Sequence, residues 1–122
     1  MDQARRIAHR MVDVLDAIAD IRDVISNETF ESFAKHRIKR PAIERYLEII
    51  SEASRHIPVD IKTRDGRIPW QKIANLGNIL RHAYHTTNPE ILWDICQNHL
   101  SELEAAVRRA QPEFPNVSDP PS

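Results

Sequence analysis

The amino-acid sequence predicts an all-α protein, an up-and-down antiparallel bundle of four long helices and one short helix. Apolar residues recur at intervals of three and four along four segments, as one buried face of a helix requires. No segment shows the alternation of apolar and polar residues that is typical of a half-buried β-strand. A chain of 122 residues is long enough for one domain with a single core.

The composition excludes several classes of protein. Lys and Arg total 17 against 18 for Asp and Glu, so the formal net charge of −1 provides no overall basic field, and any RNA contact must be local. The two glycines are too few for the phosphate-binding loops of Rossmann and P-loop folds. The single cysteine, Cys96, cannot form an internal disulfide, and the first residues lack the apolar core of a signal peptide. We therefore expect a soluble protein of the reducing cytoplasm.

The first helix is predicted over residues Asp2 to Ile25. Its single apolar stripe consists of Ile7, Met11, Val14, Ile18, Ile21 and Ile25. Ser26 and Asn27 then favour local side-chain hydrogen bonds over continuation of the helix, and Thr29 is a suitable N-cap for a short helix that closes one end of the bundle.

The second long helix is predicted to start near Pro41, because the fixed φ of proline suits the first turn of a helix. Its apolar face continues to Pro58 and consists of Ile43, Leu47, Ile50, Ser54 and Ile57. Residues 59–67 mix charged side chains with the turn pair Asp65-Gly66, so they are predicted to form a surface loop.

Two further helices and a tail complete the prediction. The third long helix follows Pro69, and its buried face consists of Trp70, Ile73, Gly77, Leu80 and Tyr84. A glycine among such bulky residues indicates close approach of a neighbouring helix. The fourth begins at the cap Asn88-Pro89 and ends near Ala110, with a face consisting of Leu92, Ile95, His99, Leu103, Ala106 and Ala110. The domain thus covers residues 1–110, and the proline-rich residues 111–122 are predicted to be disordered.

The densest group of chemically active side chains lies between residues 77 and 85, at the end of the third long helix. Asn78, His82 and His85 fall on one helical face. Histidine is suited to proton transfer near neutral pH, and arginine is a strong ligand for phosphate. Arg81 beside His82 therefore indicates phosphodiester chemistry.

Other interpretations of these residues remain open. A polar helix end with two histidines is common in proteins without any catalytic role. Histidines three residues apart can share a metal ion, although structural zinc sites usually add cysteine ligands and Cys96 stands alone. Cys96 is itself interpreted as a small core residue. The basic run from Lys35 to Arg40 is either a solvated helix junction or a contact for nucleic acid.

Four short segments together form a more specific pattern. They are, in order, the helix from Ala42 to Ala53, the tripeptide Ile68-Pro69-Trp70, Asn78 with His82-Ala83-Tyr84, and the tripeptide Leu92-Trp93-Asp94. From Ser32 onward this pattern resembles the HepT-like ribonuclease family, a branch of the HEPN superfamily. The resemblance implies a HEPN-like helical bundle and the ribonuclease-toxin half of a bacterial toxin–antitoxin pair.

The resemblance also implies a catalytic arrangement. In that family, two protomers of a homodimer pair their arginine and histidine motifs to cut RNA without a metal or other cofactor. His82 matches the histidine and Asn78 its neighbouring asparagine, whereas the arginine position, five residues before the histidine, is Gly77. On an ideal helix, residues 77 and 81 differ by about 40° in azimuth and one turn in height. The guanidinium of Arg81 is therefore predicted to replace the missing arginine.

A partner and three further residues follow from the resemblance. The implied partner is a nucleotidyltransferase-like antitoxin of the MntA kind, which silences the toxin by attaching AMP to a tyrosine. Tyr84 occupies that position, and a buried aromatic ring with its hydroxyl at the surface is the alternative interpretation. Glu52 is a candidate to orient Arg81 or His82 across the bundle, or else an ordinary exposed helix residue, and His85 is a second supporting candidate.

The departure at Gly77 leaves a second function open. If the missing arginine marks a loss of cleavage, the chain is instead a catalytically inactive HEPN module that binds a nucleotidyltransferase-like protein.

Overall fold

The computed structural model of the chain describes residues 2–82 and 88–115. Within these ranges the chain forms seven α-helices, a short 3₁₀ helix and no β-strand. The α-helices are Asp2–Ile25 (α1), Phe30–Lys35 (α2), Lys39–Ser54 (α3), Val59–Arg64 (α4), Trp70–His82 (α5), Pro89–Asn98 (α6) and Leu100–Ala110 (α7). The predicted all-α bundle is confirmed.

The helix α3 lies between α1 and α5 and packs along both of them. The stripe predicted for α1 faces this core, and its residues Met11, Val14, Ile18 and Ile21 are completely buried. From α3, Ile43 and Leu47 are buried against it. Removing such apolar side chains from water stabilises a fold by about 25 cal/mol per Å² of buried surface. The three helices therefore form a rigid layer, along which the candidate site is arranged.

The short helix α2 is fixed at its start by a reciprocal cap. The backbone N–H of Ser32 donates to Thr29 Oγ1 at 3.1 Å, and the Thr29 N–H donates to Ser32 Oγ at 2.9 Å. Phe33 is completely buried, and its ring lies 5.5 Å from the ring of Trp93 in α6. The predicted N-cap and the packing of this connector against the bundle are confirmed.

The prediction of a surface loop over residues 59–67 is wrong for its first part, because Val59–Arg64 is the helix α4. Pro58 stands at the N-cap, and Ile61 is only 2% exposed because it packs into the core. The indole Nε1 of Trp70 donates to the carbonyl oxygens of Lys62 and Asp65 at 3.1 and 3.2 Å. The burial of Ile61 and these two hydrogen bonds stabilise a short helix that local sequence preferences do not indicate.

The predicted fourth long helix is divided at His99 into α6 and α7. The buried residues of these helices are Leu92, Cys96, Leu100, Leu103, Ala106, Val107 and Ala110. His99 was predicted to be buried, but its side chain is 48% exposed and its Nε2 lies 3.3 Å from Asp94 Oδ2. The break lets the chain change direction, so that Cys96 and Leu100 are buried, Ile95 packs against the core while partly buried, and His99 is exposed.

Ordered structure continues beyond the predicted domain boundary at Ala110. Residues Gln111–Glu113 form the 3₁₀ helix, and Phe114 packs against the core. The guanidinium of Arg64 donates two hydrogen bonds to the carboxylate of Glu113, at 2.7 and 3.0 Å, and these bonds hold the pKa of Glu113 below its usual value. The prediction of a disordered tail is therefore wrong for residues 111–115. The rest of the predicted tail, residues 116–122, lies outside the described residues.

Within the described ranges, none of the helices combines the length and the apolar character that crossing a membrane requires.

Candidate active site

A buried serine holds the crossing of α3 and α5. The Ser51 side chain donates to the carbonyl oxygen of Ala74 at 2.9 Å and accepts the backbone N–H of Gly77 at 2.9 Å. Arg55 donates from Nη2 to the same Ala74 carbonyl at 2.9 Å. Three hydrogen bonds therefore join the two helices within one turn of α5, and the buried hydroxyl has both a donor and an acceptor.

Gly77 lies where α5 has no room for a side chain. A Cβ atom built on this residue would lie 2.8 Å from Ser51 Oγ and 3.2 Å from Ser51 Cβ, and the first distance is shorter than real Cβ contacts allow. The close helix approach predicted from this glycine is confirmed. By the family resemblance this is also the position of the motif arginine, and in this chain Ser51 fills the space beside it.

The guanidinium of Arg81 lies close to the place that a side chain of residue 77 would occupy. Its Nη1 atom is 3.4 Å from the place that a Cβ of residue 77 would occupy. Its Nη2 atom donates to Asn78 Oδ1 at 3.1 Å, and both side chains are exposed to solvent. Arg81 therefore lies beside residue 77, and its replacement of the motif arginine stays a prediction. Asn78 orients the guanidinium and leaves its other N–H groups available to a ligand.

A cleft of about 420 Å³ opens beside the crossing, between α1, α3 and α5. Its lining consists of Arg10, Asp13, Arg45, Glu48, Ile49, Glu52 and Arg81. The cleft thus contains three guanidinium groups and three carboxylates, so its formal charge is balanced. Planar guanidinium groups are suited to phosphate oxygens, which they bind through paired hydrogen bonds.

Four other residues were predicted for the site, namely Glu52, His82, Tyr84 and His85. Glu52 shares the cleft with Arg81, but its carboxylate lies 3.4 Å from His56 Nε2 and is exposed, as in the alternative interpretation of an ordinary helix residue. His82 is the last residue of α5. The side chain of His82, and all of Tyr84 and His85, lie outside the described residues.

Two arginines of the cleft were not predicted from the sequence. Arg10 lies on the solvent side of α1 and Arg45 on that of α3. Each is one charge on an amphipathic helix, and nothing in its local sequence distinguishes it from other surface arginines. Only the packing of α1 and α5 on either side of α3 brings them to the same cleft as Arg81.

Comparison with known proteins identifies the family. The model of the family described as "Ribonuclease HepT-like" matches residues 14–110. The chain belongs to the HepT-like ribonuclease family.

Relatives in this family carry ribonuclease names. A Methanocaldococcus jannaschii protein named "Putative RNase MJ0127" is 33% identical over 110 residues, which cover 87% of this chain and 91% of that protein. A Thermococcus cleftensis protein named "Probable ribonuclease HepT" is 34% identical over 92 residues, which cover 75% of this chain and 84% of that protein. The comparison with solved structures gives no match.

The alternative metal site at His82 and His85 involves side chains outside the described residues. Among the side chains that the structure describes, no group of three or more His, Cys, Asp or Glu is arranged to hold a metal ion. Cys96 is buried, and burial raises the pKa of its thiol to about 12. This burial confirms the interpretation of Cys96 as a core residue. A thiol with so high a pKa is not a nucleophile near neutral pH.

The basic run from Lys35 to Arg40 has structural roles in the HepT-like fold. Nζ of Lys39 donates to Glu28 Oε1 at 2.7 Å, and this bond lowers the pKa of Glu28. Nδ1 of His36 accepts the backbone N–H groups of Ile38 and Lys39 at 3.2 and 3.0 Å, which caps the start of α3. These contacts favour the interpretation of the run as a solvated helix junction.

Proposed function

We propose that this protein is an RNA endonuclease toxin that cuts without a metal ion and is the target of a nucleotidyltransferase-like antitoxin. The observation that carries the proposal is the position of Arg81, whose Nη1 lies 3.4 Å from the Cβ position of residue 77. This closeness supports Arg81 as the cation that acts in place of the motif arginine. Membership of the HepT-like ribonuclease family supports RNA as the substrate.

In the proposed mechanism, the two charged residues at the end of α5 have separate roles. Arg81 holds the scissile phosphate and stabilises the negative charge that develops on its oxygens, while Asn78 keeps the guanidinium in place. His82 transfers the proton that the attacking hydroxyl loses or the leaving oxygen gains. Neither role needs a metal ion, because guanidinium supplies the charge and imidazole the proton transfer.

A second function is favoured by the packing at Gly77. Since Ser51 Oγ lies 2.8 Å from the position of a Cβ at residue 77, an arginine there would require Ser51 to move. If Arg81 does not replace it, the protein is a catalytically inactive module that binds a nucleotidyltransferase-like partner. In that case RNA remains intact while the complex with the partner still forms.

Incubation of the purified protein with total RNA in excess chelator separates the two functions. The endonuclease proposal expects discrete cleavage products that increase with time and are absent for His82→Ala. RNA that stays intact at high protein concentration would eliminate cleavage and leave the binding module. Cleavage that appears only after addition of a divalent metal would contradict the metal-independent mechanism.

We propose that the active form is a homodimer, because one copy of the motif provides few groups for a cleft. The supporting observation is an apolar groove of about 500 Å³ between α5 and α6, beside which Ile79 and Ile91 are each 57% exposed. Large exposed apolar side chains around a groove are typical of interaction sites. Light scattering at micromolar concentration should give twice the chain mass. The substitution Ile79→Asp should lower the measured mass toward that of one chain. A native protein that is strictly monomeric contradicts this proposal.

A further inference from the structure

Arg10 lies in the cleft between α1, α3 and α5. Its side chain is half-buried and lines the same cleft as Arg81. Within residues 2–82 and 88–115, it forms no hydrogen bond or ion pair. Ordering a long arginine side chain costs conformational entropy. A partly buried guanidinium without a protein partner is therefore suited to an external anion.

Arg45 lines the same cleft from α3, the helix between α1 and α5. Its guanidinium lies 3.4 Å from Glu48 Oε2, and its side chain is 71% exposed. An ion pair so exposed to water contributes little free energy, so the guanidinium can exchange this carboxylate for a phosphate at small cost. Arg10, Arg45 and Arg81 thus present guanidinium groups from three helices to one cleft of about 420 Å³.

We propose that Arg10 and Arg45 bind the RNA backbone phosphates next to the scissile phosphate at Arg81. This inference rests on the proposed function for its substrate and adds the path that the RNA follows across one protomer. Phosphate contacts of this kind position a nucleic acid without reading its sequence. The cleft therefore fixes the register of a single strand over the end of α5, whereas base preference arises elsewhere.

The carboxylates of the cleft affect how strongly the arginines bind RNA phosphate. Glu48 is engaged with Arg45 and Glu52 with His56, each at 3.4 Å. Asp13 lies on the same α1 segment as Arg10, is exposed and has no ion pair within the described ranges. A nearby carboxylate repels phosphate, so Asp13 should weaken RNA binding. The proposal thus predicts opposite effects for neutralising Arg10 and Asp13.

The test measures binding of a fluorescein-labelled, single-stranded oligoribonucleotide of mixed sequence as a function of salt concentration. All proteins carry His82→Ala, so that cleavage does not consume the probe. Arg10→Gln retains most of the aliphatic stem of Arg10 and removes the charge. Arg67→Ala is the matched control, because Arg67 is an exposed arginine in the α4–α5 connection and does not line the cleft. Thermal unfolding of each variant checks that the fold is retained.

Loss of one phosphate contact should reduce the slope of log K against log salt by about 0.7 for a single strand. Arg10→Gln and Arg45→Gln should each show this reduction and bind at least about threefold more weakly at 50 mM salt. Arg67→Ala should retain the native slope, and Asp13→Asn should bind more tightly.

The outcomes distinguish this inference from the proposed function. If Arg10→Gln and Arg45→Gln bind like Arg67→Ala while the native protein cuts RNA, the cleft inference is overturned and the endonuclease stands. If the expected slopes appear but native protein leaves RNA intact, the cleft binds RNA and the cleavage proposal fails. A parent protein that does not bind the probe at all overturns the cleft inference directly.

Discussion

Ser51 Oγ occupies the space that a side chain at residue 77 would need, 2.8 Å from the position of its Cβ. The same oxygen accepts the backbone N–H of Gly77 and donates to Ala74. Helix packing and the departure from the family motif therefore have one physical cause.

Gly77→Ala should destabilise the protein by about 1–3 kcal/mol, because the added methyl group overpacks the crossing of α3 and α5. In an exposed helix the same change is stabilising by about 1 kcal/mol, so the sign of the effect is diagnostic. Urea unfolding with an unchanged slope measures it. A double variant that combines Gly77→Ala with Ser51→Gly should lose less unfolding free energy than the sum of the two single variants. A Gly77→Ala protein that is more stable than the native one contradicts the close contact.

Arg81→Ala should abolish RNA cleavage with little change in stability, because Arg81 is exposed and its hydrogen bond within the described ranges is to Asn78. Arg81→Lys should rescue poorly, since an ammonium group lacks the paired donors of guanidinium. Initial rates on a defined RNA, together with thermal unfolding, provide the comparison. Full activity in Arg81→Ala would remove this residue from the mechanism and direct attention to Lys39, Arg40 or a residue of the second protomer.

His82→Ala should lower the cleavage rate by about 10²–10⁴-fold, the usual contribution of a positioned general acid or base. The dissociation constant for RNA should change far less, because the cleft arginines remain. Single-turnover cleavage and binding of the same RNA separate these two effects. A variant that cuts as fast as the native protein excludes His82 from proton transfer.

The Cys96 thiol should be unreactive in the folded protein, because burial raises its pKa to about 12. A raised pKa favours the neutral thiol, so at pH 8 the thiolate fraction is about one part in ten thousand. In the unfolded chain the pKa returns to about 8.5, and a substantial fraction is ionised. Reaction with a colorimetric disulfide reagent at pH 8 should be at least about a thousandfold slower without urea than in denaturing urea. Rapid labelling of folded protein contradicts the buried position.

Tyr84→Phe should remain folded, stay toxic if the native protein is toxic, and escape neutralisation by a cognate nucleotidyltransferase. Attachment of AMP would add a bulky anion near Arg81 and His82, where it competes with RNA phosphate. After co-expression with the transferase, intact-mass measurement should show a gain of about 329 Da per adenylyl group on native protein and none on Tyr84→Phe. Absence of the gain on native protein would favour non-covalent sequestration.

The sequence by itself determined the helical class, the bounds of α1, the cap at Thr29 and the start of α6, since each depends on residues close together in the chain. It also indicated Arg81 and Asn78 as part of one site, because both lie on a single helix. Local spacing is sufficient for such conclusions, since helical periodicity and capping involve neighbouring residues.

The tertiary structure alone decided the features that depend on contacts between distant segments. Burial of Ile61 in the core stabilises α4, and the last helix divides at His99. Ser51 excludes a side chain at residue 77, although 26 positions separate the two residues. Arg10 and Arg45 join Arg81 only because α1, α3 and α5 pack side by side. Side-chain packing across helices sets these positions, and no local pattern encodes it.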